Sequence, residues 1–233
     1  MIFRRTYLLV ILGFVFSINT IAQPEIEMVF VEGGPYLLET GSCDSDVRDI
    51  KKIEVVSFYI GKYEVTQAQW QAVMGDNPSG FFGCGNCPVD SVSWNDVQEF
   101  IRKLNAETGK NYRLPAETEW EYAAKGGRKT SGSAYSGSNN LQDVAWYKNN
   151  SENKTHKVGM LRSNELGIYD MTGNVKEWCL DLVSFELNDV YGIMRGGSLV
   201  EDADWCTIII RDRAEPDYRD NSIGFRLVHP VNP

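Results

Sequence analysis

Five cysteines and two histidines are the residues of this chain with the most reactive side chains. The cysteines are Cys43, Cys84, Cys87, Cys179 and Cys206, and the histidines are His156 and His229. Cys84-Gly85-Asn86-Cys87 is a C-x-x-C, a spacing that suits a redox-active pair, half of a zinc site or a local disulfide. A structural zinc site wants four Cys or His ligands, and no second close pair is present to complete one. The βαβ pattern that frames a thioredoxin-like pair is missing as well. Gly83, Gly85 and Pro88 make the segment a tight loop, which favours a structural disulfide between Cys84 and Cys87 over redox chemistry. An odd cysteine count leaves at least one thiol over.

The chain begins with the three-part pattern of a secretory leader. Arg4 and Arg5 come first, then an apolar run from Tyr7 to Phe16, then small and polar residues up to Ala22. The run is short of the roughly 20 residues a spanning helix needs, so residues 1–22 are expected to be a cleaved signal peptide and residues 23–233 one domain. No later apolar run is long enough to cross a membrane. The expected location is therefore periplasmic or secreted, with no membrane span after cleavage, and such a compartment permits disulfides. The chain carries 32 Asp and Glu against 23 Lys and Arg, and loss of Arg4 and Arg5 with the leader makes the net charge −11. That balance excludes non-specific nucleic-acid binding, which depends on Lys and Arg displacing counterions.

Three helices are predicted as the elements that position these groups. Thr66 with Gln69 forms a capping box for a helix through Trp70 and Val73 that stops at Gly75. Ser93 precedes a helix whose Val97, Phe100, Ile101 and Leu104 repeat on one face, with Gly109 as its stop. Pro115 suits the first position of a third helix, through Glu117, Trp120 and Ala124 to Gly126. Strands are expected over 28–31, 53–60, 191–195, 206–211 and 224–228, and residues 126–140, rich in Gly, Ser and Asn, read as a surface loop. The fold class is α+β, with short strands and much irregular backbone.

Four segments, taken in order, resemble the sulfatase-modifying-factor family, the family of the formylglycine-generating enzyme. They are Tyr59-Ile60-Gly61-Lys62-Tyr63-Glu64-Val65-Thr66; Pro88-Val89-Asp90-Ser91-Val92-Ser93-Trp94 with Tyr112-Arg113-Leu114-Pro115 and the helix after it; Asn164-Glu165-Leu166-Gly167-Ile168-Tyr169-Asp170-Met171-Thr172-Gly173-Asn174-Val175-Lys176-Glu177-Trp178; and Arg195-Gly196-Gly197-Ser198 with Gly224-Phe225-Arg226-Leu227. They span nearly the whole of residues 23–233. The resemblance implies a compact α+β domain, distantly similar to C-type lectins.

It also implies where sites would lie. The family's oxidase holds Cu(I) with two cysteines beyond its Gly-Gly-Ser. The first of those positions is Glu201 here and the second is Cys206. A carboxylate is a hard donor and Cu(I) prefers soft sulfur, so the resemblance implies a poor copper site. Lys176 stands where the family usually has Trp. Ser198 matches a residue lining the family's substrate groove, and its plainer role is a turn after two glycines. By the same resemblance, calcium would sit on the side chains of Asp170 and Glu177 and the carbonyls of Gly173 and Val175, all oxygen donors as calcium requires; the plainer role of Glu177 is to accept hydrogen bonds from backbone N–H groups. Cys206 is either a remnant catalytic thiol or a structural cysteine, expected to pair with Cys179 while Cys43 stays free.

Fold does not fix function within such a family. The leading expectation is a non-catalytic binding or assembly module of the cell envelope, partnered by an exported protein or envelope component. A formylglycine-type oxidase acting on an exported protein is the first alternative. A ligand-display protein that diversifies the stretch between Gly-Gly-Ser and Gly-Phe-Arg is the second.

Overall fold

The computed structural model describes residues 25–40, 49–185 and 189–231. The leader and Cys43 lie outside these residues. Among the described residues no helix is long and apolar enough to cross a membrane.

Helix α1 (Gln67–Met74) starts at the Thr66 capping box and ends at Gly75 in the left-handed region. Helix α2 (Trp94–Thr108) is capped by Ser93, with Asp96 reaching back to the Ser93 N–H, and ends at Gly109. Helix α3 (Glu117–Ala124) begins two residues later than the sequence suggests. Ala116 is its N-cap, and Glu119 accepts from the Ala116 N–H at 2.8 Å. Pro115 therefore sits before the cap rather than at the first helical position, and its carbonyl accepts from the Leu180 N–H at 2.8 Å.

Among the described residues the strands form three small sheets. β1 (Met28–Val31) and β9 (Val228–Pro230) flank β4 (Phe58–Gly61), while β2 (Gly34–Thr40) pairs β3 (Asp49–Val55) antiparallel. The four-stranded sheet runs β7-β6-β5-β8, with β5 (Lys176–Val183) antiparallel to β6 (Tyr191–Arg195) and parallel to β8 (Ile223–Gly224). β7 (Arg211–Ala214) pairs β6.

Three expected strands are differently drawn. Residues 53–60 are two strands, because the chain changes sheets at Val56–Ser57, where Ser57 Oγ accepts from the Gly33 N–H at 3.0 Å. Residues 206–211 are mostly turn, because the carbonyls of Ile208 and Ile209, which a ladder would use, accept from Arg195 at 2.9 and 3.2 Å. Residues 224–228 are extended but serve several partners: the Phe225 and Leu227 carbonyls accept from the N–H groups of Val65 and Gly61, and Val228 bonds Arg113.

The core has two main parts. Between α1, α2 and β8, Trp70 stacks on Phe100 with ring centroids 5.1 Å apart, and Phe225 meets Phe100 edge-on at 5.3 Å. The other part packs Phe58, Ile60, Trp120 and Ile193 around α3. Burying large aromatic side chains contributes roughly 1.5–3 kcal/mol each, and these contacts fix the helices against the sheet that carries the site.

Candidate functional site

Successive strand residues face opposite ways, and β5 uses that alternation to build two polar networks. Its first residue, Lys176, lines a groove; its second, Glu177, is wholly buried.

Glu177 is the counter-ion of Arg226, also wholly buried. Arg226 Nε donates to Glu177 Oε2 at 2.6 Å and Nη2 to Oε1 at 2.7 Å. Trp120 Nε1 donates to Oε2 at 2.7 Å, so both carboxylate oxygens are engaged. Arg226 completes its fork on the carbonyls of Gly61 and Tyr169, both at 2.9 Å. Asp170 and Glu64 are buried nearby. Asp170 accepts from the Gly159 N–H at 2.7 Å, and burial pushes its carboxyl up to about 6. Glu64 accepts from Asn174 Nδ2 at 2.6 Å and the Val175 N–H at 3.1 Å. Burial first, then the charges of Asp170 and Glu177, push the Glu64 carboxyl well above the usual range. Asp170 and Asn174 take positive φ of 56° and 60°, left-handed positions that Asp and Asn tolerate better than most residues.

On the groove face, Lys176 Nζ lies 2.8 Å from Glu201 and 2.7 Å from Asp212. Burial alone would lower the lysine's proton affinity, but the hydrogen bonds to Asp212 and Glu201 raise it overall. Ser198 Oγ donates to the other oxygen of Glu201. Cys206 lies fully buried behind this network, its Sγ 4.0 Å from the Ser198 carbonyl. Burial, with a further push from Glu201, raises its thiol to about 12. Gly197, at φ 68°, permits that approach, since a Cβ there would stand 2.8 Å from the Cys206 Cα and 2.9 Å from its sulfur. An open groove of about 620 Å³ runs from Lys176 and Met194 along Asp212 to Ala214, to Tyr218 and Asp220.

The structure thus brings Ser198, Glu201 and Cys206 together around Lys176, and Asp170 and Glu177 together around Arg226. Cys84 and Cys87 are disulfide-bonded, with Cα atoms 5.3 Å apart. Cys179 and Cys206, expected to pair, are both free buried thiols and pack in different parts of the core, Cys179 with Trp120 and Ile193, Cys206 with Leu141 and Tyr147. Sequence reasoning quoted Glu64 and Arg226 only inside motifs and gave Asn174 no role. Glu64 meets Asn174 and Val175 from 110 and 111 residues away, and Arg226 meets Glu177 and Gly61 from 49 and 165, and local spacing carries no signal of such contacts.

The residues present do not fit copper. Cu(I) binds thiolates, whereas burial pushes the Cys206 thiol up to about 12 and the Lys176 ammonium sits on Glu201. Calcium is a better chemical match. Three buried carboxyl groups lie around one guanidinium, and all of them are hard oxygen donors. Among the described residues no three His, Cys, Asp or Glu side chains converge as a metal cage, so a cation here would rest on Asp170 and the carbonyls of Gly173 and Val175. Glu177, held by Arg226, would supply charge.

Comparison with known proteins places this geometry in context. Residues 17–231 match the sulfatase-modifying factor enzyme 1-like domain. The chain is 35% identical to the chaperone protein LppX of Paenibacillus barcinonensis, over 87% of this chain and 89% of that protein. It is 31% identical to the formylglycine-generating enzyme of Streptomyces coelicolor, over 72% of this chain but only 60% of the enzyme. Among solved structures, Treponema denticola variable protein 1 superposes with a TM-score of 0.80 at 30% identity, covering 91% of this chain and 98% of that one.

Proposed function

The chain belongs to the sulfatase-modifying factor enzyme 1-like domain family, and from that premise we propose that it is an exported, non-catalytic binding module, periplasmic or secreted, that holds a segment of another exported polypeptide. The observation that carries this reading is the Lys176–Glu201 ion pair at 2.8 Å; the family resemblance implies a metal-binding thiolate of the oxidase at the Glu201 position. By that resemblance Lys176 and Glu201 are departures from the family pattern, and in the folded chain they neutralise each other. With a protonated Cys206 behind them, the position offers no anionic sulfur. The open groove beside the closed network supplies the binding surface. A chaperone among the relatives that match most of their own length fits a holding role.

The test is a peptide bearing a Cys-x-Pro-x-Arg motif, incubated with the protein, Cu(I) and oxygen, and weighed by mass spectrometry. No aldehyde is expected. Turnover abolished by Cys206→Ala would overturn the reading and make Cys206 catalytic. Glu201→Cys, combined with Lys176→Trp, is expected to restore copper binding.

Calcium is part of the proposal. The cluster of carboxyl groups around Arg226 supports an ion on Asp170, Gly173 and Val175 that braces the groove strand from behind. A second reading, ligand display, is favoured by the exposed Val200, Trp205, Ile209 and Tyr218 between Gly-Gly-Ser and Gly-Phe-Arg. Replacing Val200, Trp205 and Ile209, which do not line that groove, by Ala would abolish capture of a small ligand under that reading, and leave polypeptide holding in the Lys176 groove measurable.

A further inference from the structure

We propose that the Cys84–Cys87 disulfide is a site of thiol–disulfide exchange whose substrate is an extended polypeptide carrying two cysteine thiols. The bond is poorly suited to a purely structural task. It closes a loop with only Gly85 and Asn86 between its ends, and the stabilisation from restricting the unfolded chain is smallest for such short loops.

The loop is held without it. The Gln67 N–H donates to the Cys87 carbonyl at 2.9 Å, Ala68 N–H to Gly85 at 3.0 Å, Val158 N–H to Asn86 at 3.0 Å and Cys87 N–H to Cys84 at 2.9 Å. Reduction would leave both sulfurs on the same braced turn, poised to close again.

The two sulfurs differ in access. Cys84 is half-buried while Cys87 is 4% exposed. Attack is therefore directed to Cys84, and Cys87 is the leaving group. The Cys87 sulfur lies 3.9 Å from the Thr155 carbonyl, an acceptor for the thiol that reduction creates. The Thr155 hydroxyl is buried with no partner among the described residues, a second polar group at the same place. Phe82, 80% exposed two residues before Cys84, offers an apolar contact for an incoming chain. Four residues past Cys87, the chain is tied to the groove, since the Ser91 N–H donates to the carbonyl of Asp220 at 3.1 Å. Docking through the groove rests on the function proposed above, but the exchange does not.

The chemistry balances within the two partners. A substrate thiolate attacks Cys84 Sγ, the Cys84–Cys87 bond breaks, and Cys87 leaves as a thiolate that takes a proton. The second substrate thiolate then attacks its own mixed sulfur, forming the substrate disulfide and releasing Cys84, which is protonated in turn. The substrate dithiol loses two electrons and two protons, and the protein disulfide gains them.

The experiment uses the full purified chain in its oxidised form and a reduced synthetic peptide with two cysteines. Samples are quenched by alkylation and read by mass spectrometry. One peptide disulfide is expected for each Cys84–Cys87 bond lost, with the protein still folded and its melting temperature nearly unchanged on reduction. In Cys87→Ser the lone Cys84 thiol should form mixed disulfides with an oxidised peptide at least about tenfold faster than Cys87 does in Cys84→Ser, because exposure controls the rate. Reduction only under conditions that unfold the chain, a large fall in melting temperature on reduction, or equal rates in the two variants would each overturn the proposal.

Discussion

The networks around Glu177 and Lys176 are built from adjacent residues of one strand, yet they differ in almost every physical respect. Glu177 and Arg226 have lost all contact with water and meet as a two-pronged pair. Lys176 and Glu201 keep about a sixth of their side-chain surface exposed, at 17% and 16%, and Asp212 keeps 40%. Burial of a charge pair carries a desolvation cost that only good geometry and further hydrogen bonds offset. Arg226 has those bonds, on the carbonyls of Gly61 and Tyr169. It thereby links three distant stretches of chain, and its place is architectural. The Lys176 cluster links side chains at the rim of a groove, where a ligand can compete for each of them.

The largest expected effect tests the buried side. Arg226→Met strands Glu177 and should cost about 3–5 kcal/mol of unfolding free energy, the usual result of removing one partner of a buried pair. Denaturant titration measures it. If Arg226→Met costs no more than Lys176→Met, the distinction between the two networks fails.

The next effect concerns protons and cations on the same side. The Asp170 carboxyl is raised from 3.8 to about 6 in the folded chain. An acid raised on folding binds its proton more tightly in the native state, so its contribution to stability is full below about pH 4 and is lost as pH rises through about 6. In chelator, the melting temperature of the wild-type chain should fall across that window more steeply than that of Asp170→Asn. Calcium should oppose the loss. At roughly a hundred times its Kd it should add about 3 kcal/mol at pH 7.5, and much less in Asp170→Asn. A melting curve of the ion-free protein that ignores added calcium would remove the cation from the proposal.

The smallest effect belongs to the groove. Lys176→Met should cost about 1 kcal/mol or less, since the pair remains partly solvated. It would also release Glu201 and Asp212 to face each other. A double-mutant cycle of Lys176→Met with Glu201→Gln should give a coupling of about 0.5–1 kcal/mol. Coupling as large as that of Arg226 with Glu177 would erase the contrast drawn above.

Much of the scaffold was legible in the sequence. Helices α1 and α2 follow from local chemistry: a capping side chain, a repeat of apolar residues and a glycine stop, all within one segment. The strands were less legible because several are defined by distant partners. β5 went unread because Asp170 to Glu177 looked like a single loop, whereas pairing with Ile223–Gly224 and Arg195 makes a strand from Lys176 onward. The site was half visible. Residue types identified Glu201 and Lys176 as departures, but only the folded chain places one 2.8 Å from the other. The Cys179–Cys206 expectation failed for a related reason: both residues are buried, and burial alone says nothing about which cysteine faces which.

The three-stranded sheet has a topological consequence. The chain enters the described domain at β1 and leaves it at β9, and both strands flank β4, with Met28 opposite Gly61 and Val228 opposite Ile60. At about 4.8 Å per strand and 3.4 Å per residue, Met28 and Pro230 lie within roughly 15 Å of each other. A domain whose entrance and exit nearly touch can be spliced into a surface turn of another protein, or joined end to end by a short bridge and reopened elsewhere. The exposed turn at Gly132, whose added Cβ would meet nothing within 4 Å, is a natural place to reopen it.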